Sequence, residues 1–314
     1  MCKVVVTGGC GFIGSNLVEE LLKRDYEVVV IDDLSTGRIE NVQEFMDSRN
    51  FKFVRGSITD LNLLRDVFKD VEYVFHQAAI PSVARSIDDP ITTNDANVNG
   101  TLNVLIAARD RDVRKVIYAS SSSVYGDTPI LPKREDMKPN PKSPYAVSKL
   151  AGEYYCKVFS EVYGLKTVCL RYFNVYGPRQ DPYSEYAAVI PRFIMRVLNK
   201  KPPIIFGDGN QTRDFTFVKD VVKANILAME RNVEGIFNIA SGKRISINEL
   251  ANKIMEIAGI KLKPIYDKPR PGDIRHSLAD ISLAREKLGY RPEYDLEMGL
   301  EVTIRWFSRN LKKN

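Results

Sequence analysis

Six short runs dominate the first half of the chain: "KVVVT" (3–7), "EVVVID" (27–32), "FKFVR" (51–55), "YVFHQ" (73–77), "KVIYAS" (115–120) and "TVCLR" (167–171). Stretches with helical periodicity separate them. Strands that are apolar on both faces need cover on both sides, and helical crossovers between parallel strands supply it. Such crossovers are right-handed, so the expected fold is α/β, a doubly wound parallel sheet of the Rossmann type. The clearest helical patterns are 12–24, with Ile13, Leu17, Leu21 and Leu22 on one face, and 145–163.

After Arg171 the texture changes. Pro, Gly and Tyr crowd into "YGPRQDPYSEY", "NKKPPIIFGDGNQ" and "YDKPRPGD", which punctuate shorter elements. Helical patterns return at 217–231, 246–258, 282–288 and 296–307, with the short strands "IIF" and "IFNIA" between them. The expected division is a dinucleotide-binding unit over 1–171, to which 215–238 returns, and a smaller α/β substrate unit over 172–214 and 239–314. A cleft between the two units is where chemistry belongs.

Composition narrows the partners. The net charge of +6 is spread over mixed-sign segments such as "LLKRDYEV" and "ARDRDVRK". These read as solvated helix faces and not as a nucleic-acid stripe, so any bound phosphate belongs to a small ligand. No apolar run approaches the roughly 18 residues that cross a bilayer, and the chain enters its strand pattern at Lys3 with no charged and apolar leader before it. Cys2, Cys10, Cys156 and Cys169 have no CxxC spacing. A reducing cytoplasm is the expected setting. With His76 and His276 as the only histidines, no protein-built metal site is expected.

"VVVTGGCGFIGSNL" places Gly8, Gly11 and Gly14 between the first strand and the first helix. Glycines at this spacing permit a tight turn, close approach to a pyrophosphate and close packing of helix on strand, while the helix N-terminus favours the anion. Asp32 ends the second strand about 20 residues on, where a carboxylate accepts from both ribose hydroxyls of NAD and repels the extra phosphate of NADP. NAD is therefore the expected cofactor. Arg38 is read as a surface arginine of the "STGR" turn and not as a partner for a 2′-phosphate.

"SPYAVSK" opens a helix with Ser143 as N-cap and Pro144 in the first turn, and sets Tyr145 and Lys149 four residues apart on one face. A phenol is a poor base at neutral pH. Bringing it from about 10 to about 7 means favouring the phenolate by roughly 4 kcal/mol. Lys149 and a positively charged nicotinamide ring are the expected sources. The row "SSSSVYG" at 120–126 ends a strand, and Ser121 is the hydroxyl expected to share the substrate oxygen with Tyr145.

This assembly resembles the extended short-chain dehydrogenase/reductase family and, within it, the nucleotide-sugar 4-epimerases. The resemblance runs along essentially the whole chain, through "GGCGFIG", "HQAAIPSV", "NVNGTLNVL", "SSSSVYG", "SPYAVSK", "LRYFNVYGPRQ", "GDGNQTRDFTFV" and "PRPGDIRHSLAD", in family order. It implies that Ser121, Tyr145 and Lys149 are catalytic. It implies a cofactor site built from Gly8, Gly11, Phe12, Ile13, Gly14, Asp32, Ile58, Gln77, Ala78, Ala79, Tyr145, Lys149 and Tyr172. Ser122, Ser123, Asn174, Phe206, Arg213, Arg270, Asp273 and Ser277 fall at substrate positions. Guanidinium forks such as Arg213 and Arg270 suit a diphosphate. His76 becomes a strand-end residue beside the cofactor, and helices around 95–110 and 145–163 resemble the pair that forms a four-helix homodimer contact.

Members that dehydrate or decarboxylate their sugar carry acidic residues opposite Ser121–Ser123, whereas this segment holds hydroxyls alone. The implied reaction is C4 epimerisation of a UDP-hexose through a 4-keto sugar. Ser277 occupies a position where members restricted to UDP-glucose and UDP-galactose carry tyrosine, which favours UDP-GlcNAc and UDP-GalNAc, alongside the plain pair. Ala187 and Ala188 replace asparagines common in other members, and Ser57 replaces an aspartate that contacts adenine. The rival readings are a nucleotide-sugar reductase that exchanges NADH, a uronate 4-epimerase, and a non-catalytic NAD-sensing protein.

Overall fold

Each of the six apolar runs is a strand in the computed structural model, which describes residues 2–184, 187–269 and 274–311. They are β1 (Lys3–Thr7), β2 (Glu27–Asp32), β3 (Phe51–Arg55), β4 (Tyr73–His76), β5 (Lys115–Ser121) and β6 (Lys166–Tyr172). A seventh, β7 (Gly235–Ile239), pairs with β6, and the sheet order is β7-β6-β5-β4-β1-β2-β3 with every pairing parallel. Chain order reverses where β4 lies beside β1. Ligands of open α/β sheets bind beyond the strand ends at such a reversal.

The alternation along each strand explains why both faces are covered. Val4, Val6, Val28 and Val30 pack into one core with Leu17, Val18 and Leu21 of helix α1 (Phe12–Lys23). Val5, Val29 and Ile31 point the other way, into a core with Leu64 of α2 (Leu61–Val67), Val104 of α3 (Gly100–Asp110) and Cys156 and Phe159 of α4 (Pro144–Tyr163). A third core belongs to the smaller region. It joins α5 (Val189–Leu198), α7 (Ile247–Ile257) and α8 (Leu296–Leu311), while α6 (Val218–Glu230) packs on the large sheet through Val221 and Val222.

Helix α4 carries the "SPYAVSK" motif and begins as its residues dictate. Ser143 Oγ accepts from the Ala146 backbone N–H at 3.1 Å, and the helix stops at Gly164, which is left-handed with φ of 69°. Gly152 lets it lie close on β5, since a Cβ there would sit 2.2 Å from the Tyr118 hydroxyl.

Three elements depart from expectation. The 95–110 helix starts earlier, at Pro90, and contains a wide turn over Asp95–Asn99 before α3. That turn brings Asn97 inward, where it grips both backbone groups of Ile80. The 282–288 pattern is helical throughout as expected, but it widens over Ala284–Leu288 before left-handed Gly289 closes it. Helix α5 has no counterpart among the expected helical patterns, and its Pro191 is tolerated because proline in a first turn loses no intrahelical bond.

Candidate active site

At the C-terminal end of β1 the chain turns through Gly8 into α1. Gly8 has φ of +69°, and a Cβ on it would press to 2.7 Å from the Ala78 backbone, while one on Gly14 would sit 2.2 Å from the Gly8 carbonyl. Those two positions exclude any side chain. No side chain caps α1, so its leading N–H groups are left for an anion. Asp32, at the end of β2, is buried and accepts from the Cys10 and Leu34 backbone N–H groups, each at 2.9 Å. Burial raises its carboxyl and those two bonds oppose the shift.

A cavity of about 670 Å³ opens from this turn, and every residue assigned to the cofactor from sequence lines it, from Gly8, Gly11, Phe12, Ile13 and Gly14 through Asp32, Ile58, Gln77, Ala78 and Ala79 to Tyr145, Lys149 and Tyr172. Gln77 and Tyr172 share a network with buried Asn225, whose amide donates to the Tyr172 hydroxyl at 2.8 Å. Ser57 lines the cavity too, with its hydroxyl accepting from Thr59 within its own turn.

The sequence reading missed the far wall, where Arg179, Gln180 and Asp181 join the lining. Arg179 binds Glu19 and Glu44 at 2.8 and 2.9 Å, and Asp181 takes Arg38 at 2.9 Å. Arg38 is thus engaged by a carboxylate. The Pro- and Tyr-rich texture of "YGPRQDPYSEY" was the available signal for this wall.

The serine row divides its labour. Ser120 Oγ donates to Glu153 at 2.5 Å, while Ser121 accepts from the Ser123 N–H at 3.2 Å and stands close enough to the Tyr145 phenol to lower it. Ser122 and Ser123 belong to the turn Ser122–Tyr125, and the buried Ser123 hydroxyl has no hydrogen-bond partner among the described residues. Glu153 is a carboxylate beside the hydroxyl row that the row itself could not announce, because it comes from α4.

Lys149 is buried, donates to the Ala119 carbonyl at 2.8 Å, and lies 5.1 Å from the Tyr118 ring centroid and 6.0 Å from that of Tyr145. Burial brings its ammonium down to about 8. Burial also raises Tyr145, and Ser121 is the one influence that lowers it. The expectation that Lys149 depresses the phenol is therefore corrected: its proton donor faces Ala119, and the serine does the lowering in the protein alone. The positive ring of oxidised nicotinamide fits the remaining need, and the glycine cradle, the Asp32 carboxylate and the cavity size all suit NAD.

His76 is not poised for acid–base work. Its Nδ1 lies 2.8 Å from Thr7 Oγ1 and its Nε2 lies 2.9 Å from Thr101 Oγ1. Thr101 donates to the Asn97 carbonyl and Thr7 accepts from the Ala78 N–H, so the ring is assigned as the Nε2–H tautomer. Burial first and the Lys149 charge second push it down to about 3.

The substrate assignments Asn174, Arg213 and Ser277 gather around Asp214 and the adjoining Thr212. Asp214 is fully buried, accepts from the Ser241, Gly242 and Ala279 backbone N–H groups and the Ser241 hydroxyl, and is raised by burial to about 6. Its carbonyl takes the Asn174 amide at 2.9 Å. Arg213 donates to the Thr212 carbonyl, and the Ser277 N–H also binds Thr212 O, at 3.0 Å. Phe206 is half-buried with the Arg192 guanidinium 5.1 Å over its ring. Arg270 and Asp273 lie outside the described residues.

Comparison with known proteins follows this geometry. Residues 4–240 match the model of the NAD dependent epimerase/dehydratase family. A UDP-glucose 4-epimerase of Mycolicibacterium smegmatis is 44% identical over 309 residues, covering 97% of this chain and 98% of its own. Among solved structures, the UDP-N-acetylglucosamine 4-epimerase of Methanobrevibacter ruminantium in complex with UDP-N-acetylmuramic acid has a TM-score of 0.95 and 44% identity, over 98% of this chain and 99% of its own. A UDP-glucose 4-epimerase of Thermus thermophilus in complex with NAD has a TM-score of 0.88 and 39% identity, with the same coverage. Among the described residues, no helix is long and apolar enough to cross a membrane.

The buried neutral His76 has a stability signature. A ring held at about 3 when folded and near 6.5 when unfolded adds stability above pH 6.5 that is lost as pH falls toward 3. Denaturant unfolding should show the parent losing about 2 kcal/mol more than His76→Gln between pH 8 and pH 5. Equal losses would mean that the ring titrates freely.

Proposed function

This chain belongs to the NAD-dependent epimerase/dehydratase family, and on that premise we propose that it epimerises UDP-hexoses at C4, with UDP-GlcNAc and UDP-GalNAc as its principal pair and UDP-glucose and UDP-galactose alongside. Its relatives support a UDP-sugar 4-epimerase that uses NAD. The observation that carries the mechanism is the grouping of Ser121, the Tyr145 phenol and buried Lys149, whose Nζ lies 6.0 Å from the Tyr145 ring centroid.

Bound NAD supplies the acceptor, and later the donor, of the C4 hydride. The protein supplies the rest. Tyr145 takes the C4 hydroxyl proton and returns it, and Ser121 holds the sugar oxygen against the phenol. Lys149 is held on the Ala119 carbonyl beneath the phenol, and the positive ring of oxidised nicotinamide would favour the phenolate. The hydroxyl row offers no free carboxylate, since Glu153 is already taken by Ser120 and Arg171. Elimination and β-keto acid chemistry, which need further acid–base groups, are disfavoured on that ground. Net redox over the cycle is zero, so the nucleotide is gripped and the hexose is left free to turn over.

Asn174, Arg213, Arg270 and Asp273 are assigned to the diphosphate and ribose, and Phe206 to the uracil side. The buried Asp214 carboxylate supports this assignment for Asn174 and Arg213, because it ties their segment to 241–242 and 279. Ser277 is half-buried and bound through its N–H to the Thr212 carbonyl, and the small size of its side chain supports a place for an acetamido group at C2. The buried free thiols of Cys10, Cys156 and Cys169 suit a reducing cytoplasm. We also assign a homodimer: Val147, Tyr154, Val158 and Val162 form an exposed stripe on α4 near exposed Ile87 and Ile91, and a self-complementary apolar face fits a second copy.

Tyr145→Phe should remove UDP-hexose turnover while NAD content and UDP affinity stay at the parent level; undiminished turnover would discard the phenol as base. Ser277→Tyr should cut kcat/KM on UDP-GlcNAc by about tenfold or more relative to UDP-glucose, scored by NMR of the products; equal losses on both reject the gate. Sedimentation should give a dimer for the parent and a monomer for Val158→Arg/Val162→Arg; a monomeric parent ends the dimer assignment.

A further inference from the structure

Tyr145, Lys149 and Glu153 stand four residues apart on α4, so one helix face carries the phenol, the ammonium and a carboxylate in succession. Glu153 is 3% exposed. Arg171 of β6 donates to both its oxygens, Nε at 2.8 Å and Nη2 at 2.7 Å, and Ser120 of β5 donates at 2.5 Å. The same guanidinium lies 4.7 Å over the ring of Tyr125, which closes the turn after the serine row, and the Tyr125 hydroxyl donates to Asn238 of β7 at 2.7 Å. One ion pair thus joins α4, the ends of β5 and β6, and the turn that holds Ser121–Ser123.

Stability alone gives little reason for this pair. Replacing a buried ion pair by apolar residues of similar volume is often neutral or stabilising, because two charges lose their hydration to form it. Apolar residues cannot fix a helix along its axis, however, as a bidentate fork does. The groups fixed here are those whose relative placement matters most.

We propose that Glu153 and Arg171 are positioning residues whose ion pair holds α4 against the serine row so that the Ser121 hydroxyl meets the Tyr145 phenol. The proposal rests on the epimerase reading for its consequence in turnover and on geometry for its cause. Misplacing a reacting group by about 1 Å costs on the order of 100-fold in rate. Moving Ser121 away from the phenol also weakens the one influence that opposes its burial.

The test separates geometry from charge. Glu153→Leu/Arg171→Met removes one negative and one positive charge together. Tyr145 still faces Ser121, Lys149 and Tyr118; Lys149 still faces His76, Tyr118 and Cys156; the former pair site still faces Tyr125, Glu135 and Cys169. Glu153→Asp is the milder second variant, keeping the charge and shortening the reach. Both are prepared as NAD-loaded enzyme. The Tyr145 phenol is titrated by ultraviolet difference spectroscopy against the Tyr145→Phe counterpart, and kcat and KM are measured on the parent's UDP-hexose.

In whichever variant melts cooperatively, kcat should fall about 10- to 100-fold with KM within about threefold of the parent, and the phenol midpoint should rise by on the order of one unit. A folded variant with the parent's kcat and phenol midpoint overturns the proposal. A parent that turns over no UDP-hexose sinks the epimerase reading instead, and the substrate-free titration then decides the positioning role by itself.

Discussion

The approach of α4 to β5 is the contact on which the rest of the site depends. Gly152 removes the side chain that would collide with Tyr118, and Lys149 then reaches the Ala119 carbonyl at 2.8 Å. A buried ammonium needs such an acceptor, since burying a charge without a partner is among the costliest things a fold can do. The helix can sit there because β5 ends at Ser121, where the backbone stops pairing with β6 and turns through Ser122–Tyr125. Tyr145 reaches the cavity because this one helix is held close to this one strand end.

Burial acts in opposite senses on the titratable groups around that contact. It drives His76 toward neutrality and lowers the Lys149 ammonium, while it holds the Tyr145 phenol protonated. Left to desolvation, the site would contain no base. Ser121 works against that tendency, and the positive charge of an oxidised nicotinamide would add to its effect. A phenol that ionises more readily when the oxidised cofactor is seated is suited to a cycle that begins by oxidising its sugar.

Among the hydroxyls, position decides function. Ser120 and Ser121 are neighbours in sequence, yet alternation along the strand end sends the first to Glu153 and the second to Tyr145. A carboxylate does stand beside the hydroxyl row, but the Arg171 fork engages both its oxygens. The site is therefore poor in free acids even though it is not poor in carboxylates.

The amino-acid sequence by itself determined the sheet, the glycine turn, the Asp32 strand end and the Tyr145–Lys149 face, because strand alternation, backbone freedom at Gly8 and i to i+4 spacing are local properties of the chain. It located the cavity wall from Gly8 to Ala79 for the same reason. Only the tertiary structure decided what lies across from it. Arg179 and Asp181 close the far wall, Asn225 joins Gln77 to Tyr172, and Asp214 ties Asn174 to 279, each through contacts between residues far apart in sequence. Lys149 shows the difference most plainly: its spacing put it beneath the phenol, but the backbone carbonyl that claims its proton lies on another element, and no local rule places that carbonyl there.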